Sequence, residues 1–232
     1  MKMYDNKRCV LLANKKLVQT NLVHQQFGNA SIRVDDVIII KPSGIDLSSC
    51  EIEDMSVVDF YSANLLSGKK PSTDTPTHLV LYQRFEAIKS IIHTHSLYAT
   101  AWAQANLSIP CMGTTHADYW AKEIMVTQEL NENEITEEFE MHTGEMIIKK
   151  FEETKTDVYQ NPGILVAHHG PFAWGKTVEE AINNAEQLEY IAKLAWMTLQ
   201  LNPDVPAIPS ELHHRHYSRK HGPDAYYGQE IT

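Results

Sequence analysis

The stretch Ala30–Gly44, ASIRVDDVIIIKPSG, decides the fold because it predicts two strands joined by a tight turn. The β-branched run Val37–Ile40 favours extended structure, and the polar pair Asp35 and Asp36 separates it from the strand before. Strands joined by so short a turn must run antiparallel. This hairpin therefore argues against a purely parallel sheet.

Helical and extended patterns alternate on both sides of the hairpin. Helices are predicted at residues 5–20, at Ser96–Asn106, at residues 132–153 and at residues 176–201. One more helix is predicted to begin at Thr75, which would cap it, with Pro76 in its first turn. Further strands are predicted within residues 55–72, 87–95 and 163–170. We therefore expect one α/β or α+β domain over residues 1–232, with a mixed or antiparallel sheet between helix layers. The segment 203–232 is predicted to be a flexible tail.

Composition and charge argue against several classes of function. The net charge is −10 and no basic stripe is present, so we expect no nucleic-acid partner and no anionic membrane partner. No run of about 18 apolar residues and no secretory signal occurs, which predicts neither a membrane span nor export. The three cysteines are far apart and form no CxxC pair, as is typical of reduced thiols in a cytoplasmic protein.

Histidines follow two of the predicted strands. His93 and His95 are two residues apart, so their side chains share one face, and such a pair suits Zn²⁺. His168 and His169 are adjacent and face opposite ways, so only one of them is expected to join the pair. Three histidines would leave a coordination position open for substrate, and Asp74 is a candidate fourth ligand. Each also has a simpler interpretation, as a hydrogen-bonded core histidine or as an aspartate at a helix start.

Three short segments are candidates for binding an anion through backbone N–H groups and hydroxyls. They are Lys41–Gly44 (KPSG), Pro71–Thr73 (PST) ahead of a helix, and Phe27–Ser31 (FGNAS). Clusters of Gly, Pro and Ser are usually plain turns. A phosphate site is therefore predicted only if these segments fold next to the histidines.

Seven motifs in a fixed order resemble one known family. They are FGNAS, IKPSGID, KKPSTDTPTHLVLYQ, IIHTHSLYATAWAQ, IPCMGTTHADYW, GILVAHHGPFAWGK and HYSRKHGPDAYYGQ, and they extend from about Asn21 to Gln229. Together they are similar to the epimerase branch of the class II aldolase/adducin family. The resemblance implies a three-layer α/β/α fold around a central, mainly antiparallel sheet. It also implies a homotetramer with active sites between subunits, and a C-terminal tail that completes each site.

The resemblance also implies an activity and a set of site residues. The activity is metal-dependent 4-epimerisation of L-ribulose 5-phosphate to D-xylulose 5-phosphate, by cleavage and re-formation of the C3–C4 bond, in the breakdown of arabinose or of ascorbate and related sugars. The implied ligands of Zn²⁺, or of another divalent ion such as Mn²⁺ or Co²⁺, are Asp74, His93, His95 and His169. The implied phosphate-binding residues are Asn29, Lys41, Ser43, Gly44, Ser72 and Thr73. The implied proton-transfer pair, donated by a neighbouring subunit, is Asp118 and Tyr227; further family positions are Thr114, Thr115, Glu140 and His216.

Three other functions are compatible with parts of the sequence. A sugar-phosphate aldolase of the fuculose type resembles the same site, although those aldolases carry Glu where this chain has Asp74. A non-catalytic adducin-like module resembles the fold but lacks the metal ligands. A zinc hydrolase would use the H-x-H pair, but it would not need two phosphate loops.

Overall fold

The structure is a computed structural model that describes residues 2–24, 27–223 and 225–226. Its helices are α1 Lys2–Gln19, α2 Thr75–Arg84, α3 Leu97–Gln104, α4 Thr114–Ala117, α5 Glu132–Thr136, α6 Phe139–Glu153, α7 Val178–Leu201 and α8 Ser210–His221. Its strands are β1 Gly28–Val34, β2 Val37–Ile40, β3 Ser56–Asp59, β4 Leu65–Ser67, β5 Ser90–Thr94, β6 Gly163–Val166 and β7 Gly170–Gly175.

The strands form one sheet in the order β4-β3-β2-β1-β5-β7-β6, and every neighbouring pair in it is antiparallel. The predicted hairpin is confirmed, since β1 and β2 pair from Ser31 opposite Ile40 to Val34 opposite Val37. Strand β5, which carries the first histidine, lies between β1 and β7. Three neighbouring strands of the sheet, β1, β5 and β7, are therefore distant in sequence.

Helices cover both faces of the sheet, because side chains alternate along each strand and both sets are apolar. On one face Ile39 and Ile92 pack in a buried cluster with residues of α1 and α7. On the other face Ile38 and Ile91 pack in a cluster with residues of α2 and α6. The predicted α/β/α arrangement around a mainly antiparallel sheet is confirmed.

Helix α3 is fixed against α7 directly after the strand that carries the histidines. Both carboxylate oxygens of Glu189 accept backbone N–H groups of the first turn of α3, from Tyr98 and Ala99, each at 2.9 Å. The indole of Trp102 donates to the carbonyl of Ala192 at 3.0 Å. These buried contacts set the direction in which the chain leaves β5.

Several predicted boundaries were wrong, each for a local reason. Residues 55–72 hold two paired strands, β3 and β4, where one was predicted, and residues 132–153 form two helices, α5 and α6. Helix α2 begins at Thr75, so Asp74 and not Thr75 occupies the N-cap position. The tail contains a helix, α8, which the sequence did not predict. No helix among the described residues is long and apolar enough to cross a membrane.

Candidate active site

Three histidines meet at one end of β5. His93 lies on β5, His95 follows just past the end of the strand, and His169 closes the turn between β6 and β7. One ring nitrogen from each lies within 4.8 Å of the others, and the Nε2 atoms of His93 and His95 are 3.1 Å apart. The sheet thus brings together a pair and a single histidine that are 74 residues apart in sequence (169 minus 95).

The geometry of these rings fits a bound divalent metal. Two nitrogens bound to one tetrahedral zinc lie about 3.3 Å apart, close to the spacing of His93 and His95. The Nδ1 atom of His93 lies 3.0 Å from the carbonyl oxygen of Pro171, which can only accept, so Nδ1 carries the proton and Nε2 keeps its lone pair. The Nδ1 atom of His169 is buried and has no hydrogen-bond partner among the described residues. An imidazole cluster with such an orphaned nitrogen is typical of a metal site.

Burial keeps the three rings in the neutral form that binds metals. It lowers the pKa of His93 well below the ordinary value, and nearby His169 and His95 lower it further. Burial also lowers the pKa values of His95 and His169, while the Asp74 carboxylate partly opposes the shift in both. Neutral imidazole is the ligand form, so little free energy is spent on deprotonation near pH 7.

Asp74 lies beside the three histidines but outside their close cluster. Its Oδ2 atom accepts a hydrogen bond of 2.6 Å from the side-chain amide of Asn29. Although Asp74 occupies the N-cap position of α2, its side chain makes no capping hydrogen bond among the described residues. Its charge partly opposes the lowering of the pKa values of His95 and His169, so the carboxylate is near both rings. Asp74 thus lies at the helix start, as its simpler interpretation requires, but without a capping bond, and its role as a metal ligand stays a prediction.

The predicted phosphate segments lie side by side. The backbone N–H of Ser72 donates to the carbonyl of Lys41 at 3.0 Å, and that of Ser43 donates to the carbonyl of Lys70 at 2.9 Å. The amide of Asn29 bridges to Ser72 with a hydrogen bond of 3.1 Å from Nδ2 to Oγ. Two loops and the start of β1 thus converge next to Asp74.

The remaining residues of the phosphate set differ in exposure. Lys41 is buried, and burial lowers the pKa of its ammonium group. Gly44 has φ +66°, a left-handed conformation that favours glycine, and both Gly44 and Thr73 are exposed. The Oδ1 atom of Asn29 is buried and lacks a hydrogen-bond partner within the described chain. These segments therefore offer a cation, hydroxyls and backbone groups, while the roles of these residues stay predictions.

Asp118 is held by α8 rather than by the histidine cluster. Its carboxylate accepts from Arg219 Nε at 3.1 Å and Nη2 at 2.8 Å, and from His216 Nδ1 at 3.2 Å. Burial would raise the pKa of Asp118, but these hydrogen bonds and the charge of Lys220 outweigh it and lower the pKa. Within the described residues its ion pairs run only to α8. The histidines and Asp118 of one chain are thus anchored to separate elements.

Other family positions fall on elements near these two regions. Thr114 and Thr115 open α4, which leads to Asp118. Glu140 is in the first turn of α6, next to Phe139, whose ring centroid lies 5.9 Å from that of His169. Tyr227 lies outside the described residues, so its predicted role stays a prediction.

Two histidines of the tail and turn have other contacts. His213 is half-buried and its Nε2 donates to the carbonyl of Trp120 at 2.8 Å. His168 is exposed, has φ +59° and bonds Glu129 through Nε2 at 2.8 Å, away from the cluster. Of the adjacent pair, the structure therefore brings only His169 to the other two histidines.

The sequence interpretation missed residues of β7 that contact the cluster. Pro171 supplies the carbonyl for His93, and the Phe172 ring stacks on the His93 ring with centroids 4.2 Å apart. The signal was present in GPFAWG, where Phe and Trp alternate with small residues, but the flanking glycines and the proline conceal a strand.

Comparison with known proteins defines the class of protein. The sequence profile of the family described as "Class II Aldolase and Adducin N-terminal domain" matches residues 8–196. The chain belongs to this family. It is 44% identical over 226 residues to "L-ribulose-5-phosphate 4-epimerase UlaF" of Salmonella paratyphi C (strain RKS4594), covering 97% of this chain and 98% of the relative. It is 43% identical, with the same coverage, to the protein of that name from Salmonella paratyphi A (strain ATCC 9150 / SARB42).

Solved structures show the same fold. A structure described as "L-fuculose 1-phosphate aldolase" is 27% identical with a TM-score of 0.77, covering 93% of this chain and 95% of the other. YgbL from Escherichia coli, "a putative aldolase/epimerase/decarboxylase", is 22% identical with a TM-score of 0.72, covering 93% and 99%. The second likeness supports the fold alone.

Proposed function

We propose that this chain is a metal-dependent epimerase that converts L-ribulose 5-phosphate to D-xylulose 5-phosphate. The observation that carries the proposal is the end-to-end similarity to relatives named L-ribulose-5-phosphate 4-epimerase. The meeting of His93, His95 and His169 supports the metal, for which we propose Zn²⁺. We propose that residues 1–232 form one domain and that it acts in the cytoplasm.

Binding would begin at the phosphate end of the substrate. The loops that carry Ser43 and Ser72 are tied together by backbone hydrogen bonds, so their hydroxyls and N–H groups are held in place before substrate arrives. Lys41 adds a positive charge from a buried position. Such preorganised contacts at a non-reacting end hold the aldehyde fragment in place after the carbon–carbon bond opens.

The reacting end of the substrate would lie at the histidines. Asp74, His93, His95 and His169 would hold the metal, which supplies Lewis-acid stabilisation of the negative charge that develops on the substrate oxygens during C3–C4 cleavage. Asn29 would hold the Asp74 carboxylate through the bond of 2.6 Å and so fix its direction. The buried surroundings exclude water and strengthen these electrostatic interactions.

Proton transfer would come from a second copy of the chain. We propose that Asp118 and Tyr227 of a neighbouring subunit remove and return the proton of the C4 hydroxyl, one on each side of the aldehyde plane. The ion pairs of Asp118 with α8 keep it ionised and oriented. A homotetramer is supported by apolar surface on α3, on the loop after it and on α7, where Leu97 is 74% exposed, Leu107 is 55% exposed and Leu201 is 89% exposed.

The direct test is incubation of purified protein with L-ribulose 5-phosphate, with and without a chelator, while D-xylulose 5-phosphate is measured. We expect turnover that the chelator abolishes and that added Zn²⁺ restores. Full turnover by protein shown to contain no metal would refute the metal-dependent mechanism. Light scattering of the same preparation measures the mass, which we expect to be four times that of one chain.

A fuculose-type aldolase is the second candidate, favoured by the structural likeness at 27% identity. Both reactions break a carbon–carbon bond next to a metal-bound ketose, but an aldolase releases the aldehyde. An assay for free aldehyde with L-fuculose 1-phosphate separates them. We expect aldehyde release from L-fuculose 1-phosphate to be slower than the epimerisation of L-ribulose 5-phosphate.

A further inference from the structure

Phe172 contacts two of the candidate metal ligands from within the core. Its ring stacks on His93 with centroids 4.2 Å apart and planes at 20°, and it meets His169 edge to face at 6.3 Å and 77°. The residue is fully buried. We infer that Phe172 is a positioning residue that orients the His93 ring for metal binding; this inference rests on the metal site of the proposed function.

The backbone register explains why the two rings meet. His93 on β5 pairs directly with Phe172 on β7, and Asn29 on β1 pairs with His93 from the other side. Directly opposed residues of antiparallel strands place their side chains on the same face about 5 Å apart. The sheet thus holds one row of three side chains in which His93 lies between Asn29 and Phe172.

Two contacts from β7 restrict different motions of the His93 ring. The Pro171 carbonyl accepts the Nδ1 proton, which fixes the tautomer and the direction of Nε2 within the ring plane. The face of Phe172 fixes the tilt of that plane, because rotation about the Cβ–Cγ bond would drive the imidazole into the phenyl ring. Together they leave the Nε2 lone pair one direction, toward His95.

Phe172 also contacts a third histidine. His78 of α2 meets the Phe172 ring edge to face, with centroids 6.0 Å apart. The Ser31 hydroxyl bonds His78 Nδ1 at 2.7 Å and the Tyr82 hydroxyl at 2.8 Å. Since His78 and Tyr82 are fully buried, this polar network holds the His78 ring in place against Phe172.

The chain offers a matched control for ordinary core packing. Phe151 of α6 is buried in the same apolar cluster as Phe172, but its ring contacts are with Phe85 and Trp174, not with a histidine. Phe151→Leu and Phe172→Leu remove the same atoms from the same cluster. Only Phe172→Leu removes a ring from His93.

The test measures Zn²⁺ affinity of metal-free protein by competition with a chromophoric chelator, and the absorption spectrum of the Co²⁺-loaded form. We expect Phe172→Leu to weaken Zn²⁺ binding about tenfold, as is typical when a group that orients a ligand is lost, and to shift the Co²⁺ bands. Phe172→Tyr keeps the ring and is expected to bind Zn²⁺ within about threefold of the unchanged protein, although its buried hydroxyl lowers the melting temperature. Phe151→Leu should lower the melting temperature with unchanged Zn²⁺ affinity and unchanged bands.

Each other outcome overturns a distinct claim. Unchanged Zn²⁺ affinity in Phe172→Leu, or an equal loss in Phe151→Leu, would show that Phe172 is only a packing residue. No Zn²⁺ binding by the unchanged protein would refute the proposed metal site and, with it, this inference. If Phe172→Leu does not fold, Phe172→Met, which is flexible and apolar, replaces it under the same expectations.

Discussion

Gly170 directly follows His169, and a methyl group at this position would disturb the histidine cluster. A Cβ built on Gly170 would lie 2.7 Å from the carbonyl oxygen of Thr94, the last residue of β5. Because that oxygen belongs to the backbone of the neighbouring strand, relief requires β7 to move away from β5. The movement would separate His169, which directly precedes β7, from His93 and His95, which lie on or next to β5.

Gly175 at the other end of the same strand provides a control of equal severity. A Cβ there would lie 2.7 Å from the backbone nitrogen of Ala181 in α7. Gly175 pairs with Ser90, at the end of β5 opposite to His95. Neither Gly170 nor Gly175 has a positive φ, so alanine can adopt the backbone conformation at both positions. The expected effect of each substitution therefore comes from the steric contact of the added Cβ.

We expect both Gly170→Ala and Gly175→Ala to lower the free energy of unfolding by about 1–3 kcal/mol, the usual cost of overpacking. For a chain of this length this corresponds to a fall in melting temperature of roughly 2–12 °C. Zn²⁺ at a hundred times its dissociation constant should stabilise the unchanged protein by about 2.7 kcal/mol. That increment should persist in Gly175→Ala and should be largely lost in Gly170→Ala, where the ligands are displaced.

The assay is thermal unfolding of each variant with excess Zn²⁺ and with a chelator. The difference between the two melting temperatures reports metal binding apart from fold stability. An undiminished difference in Gly170→Ala would refute the argument that close approach of β7 to β5 positions the ligands. So would an equal loss in Gly175→Ala.

Three further predictions concern proton transfer, acid stability and a buried amide. Tyr227→Phe should leave metal content and melting temperature unchanged but strongly cut turnover, and normal turnover would remove Tyr227 from the mechanism. Burial lowers the pKa of His116 to about 4, so the unfolded state binds its proton first as pH falls. The contribution of His116 to the free energy of unfolding is full above pH 6.5 and should fall by about 3 kcal/mol as the pH drops to about 4. In chemical unfolding, the free energy of unfolding of His116→Gln should therefore change less steeply with pH in that range. The side chain of Asn14 accepts from the N–H of Ala30 at 2.8 Å and donates to the carbonyl of Ala30 at 3.3 Å. Asn14→Ala should therefore lower the free energy of unfolding, measured in urea, by about 2–4 kcal/mol. A loss below about 0.5 kcal/mol would contradict this account.

The pair of histidines at the end of β5 was predictable because one local rule controls it. Residues two apart on a strand share a face, and both His93 and His95 belong to the cluster in the structure. The choice between His168 and His169 was not decidable from that rule. The two residues lie in a tight turn, where His168 has φ +59°, and strand alternation does not apply to such a backbone.

The missed elements share a weak apolar signal. Strand β4 is exposed along its whole length, so burial imposes no alternation on its sequence. Helix α8 contains no buried residue, and ion pairs from Arg219 and Lys220 to Asp118 attach it to α4 instead. Periodicity detects elements that bury an apolar face, whereas an element tethered by charges becomes visible only when its partners are known.

Elements that bury apolar side chains and elements held by charges carry different residues of the candidate site. The three clustered histidines lie on or next to β5 and β7, which pair within the sheet, and cross-strand pairing and close-packed rings fix His93. Asp118 directly follows the short helix α4 and is held by charged contacts to α8. A metal ligand must keep its position to a fraction of an ångström, which a strand provides. In the proposed mechanism Asp118 serves the site of a second chain, and a carboxylate held by Arg219 is oriented before the two chains associate.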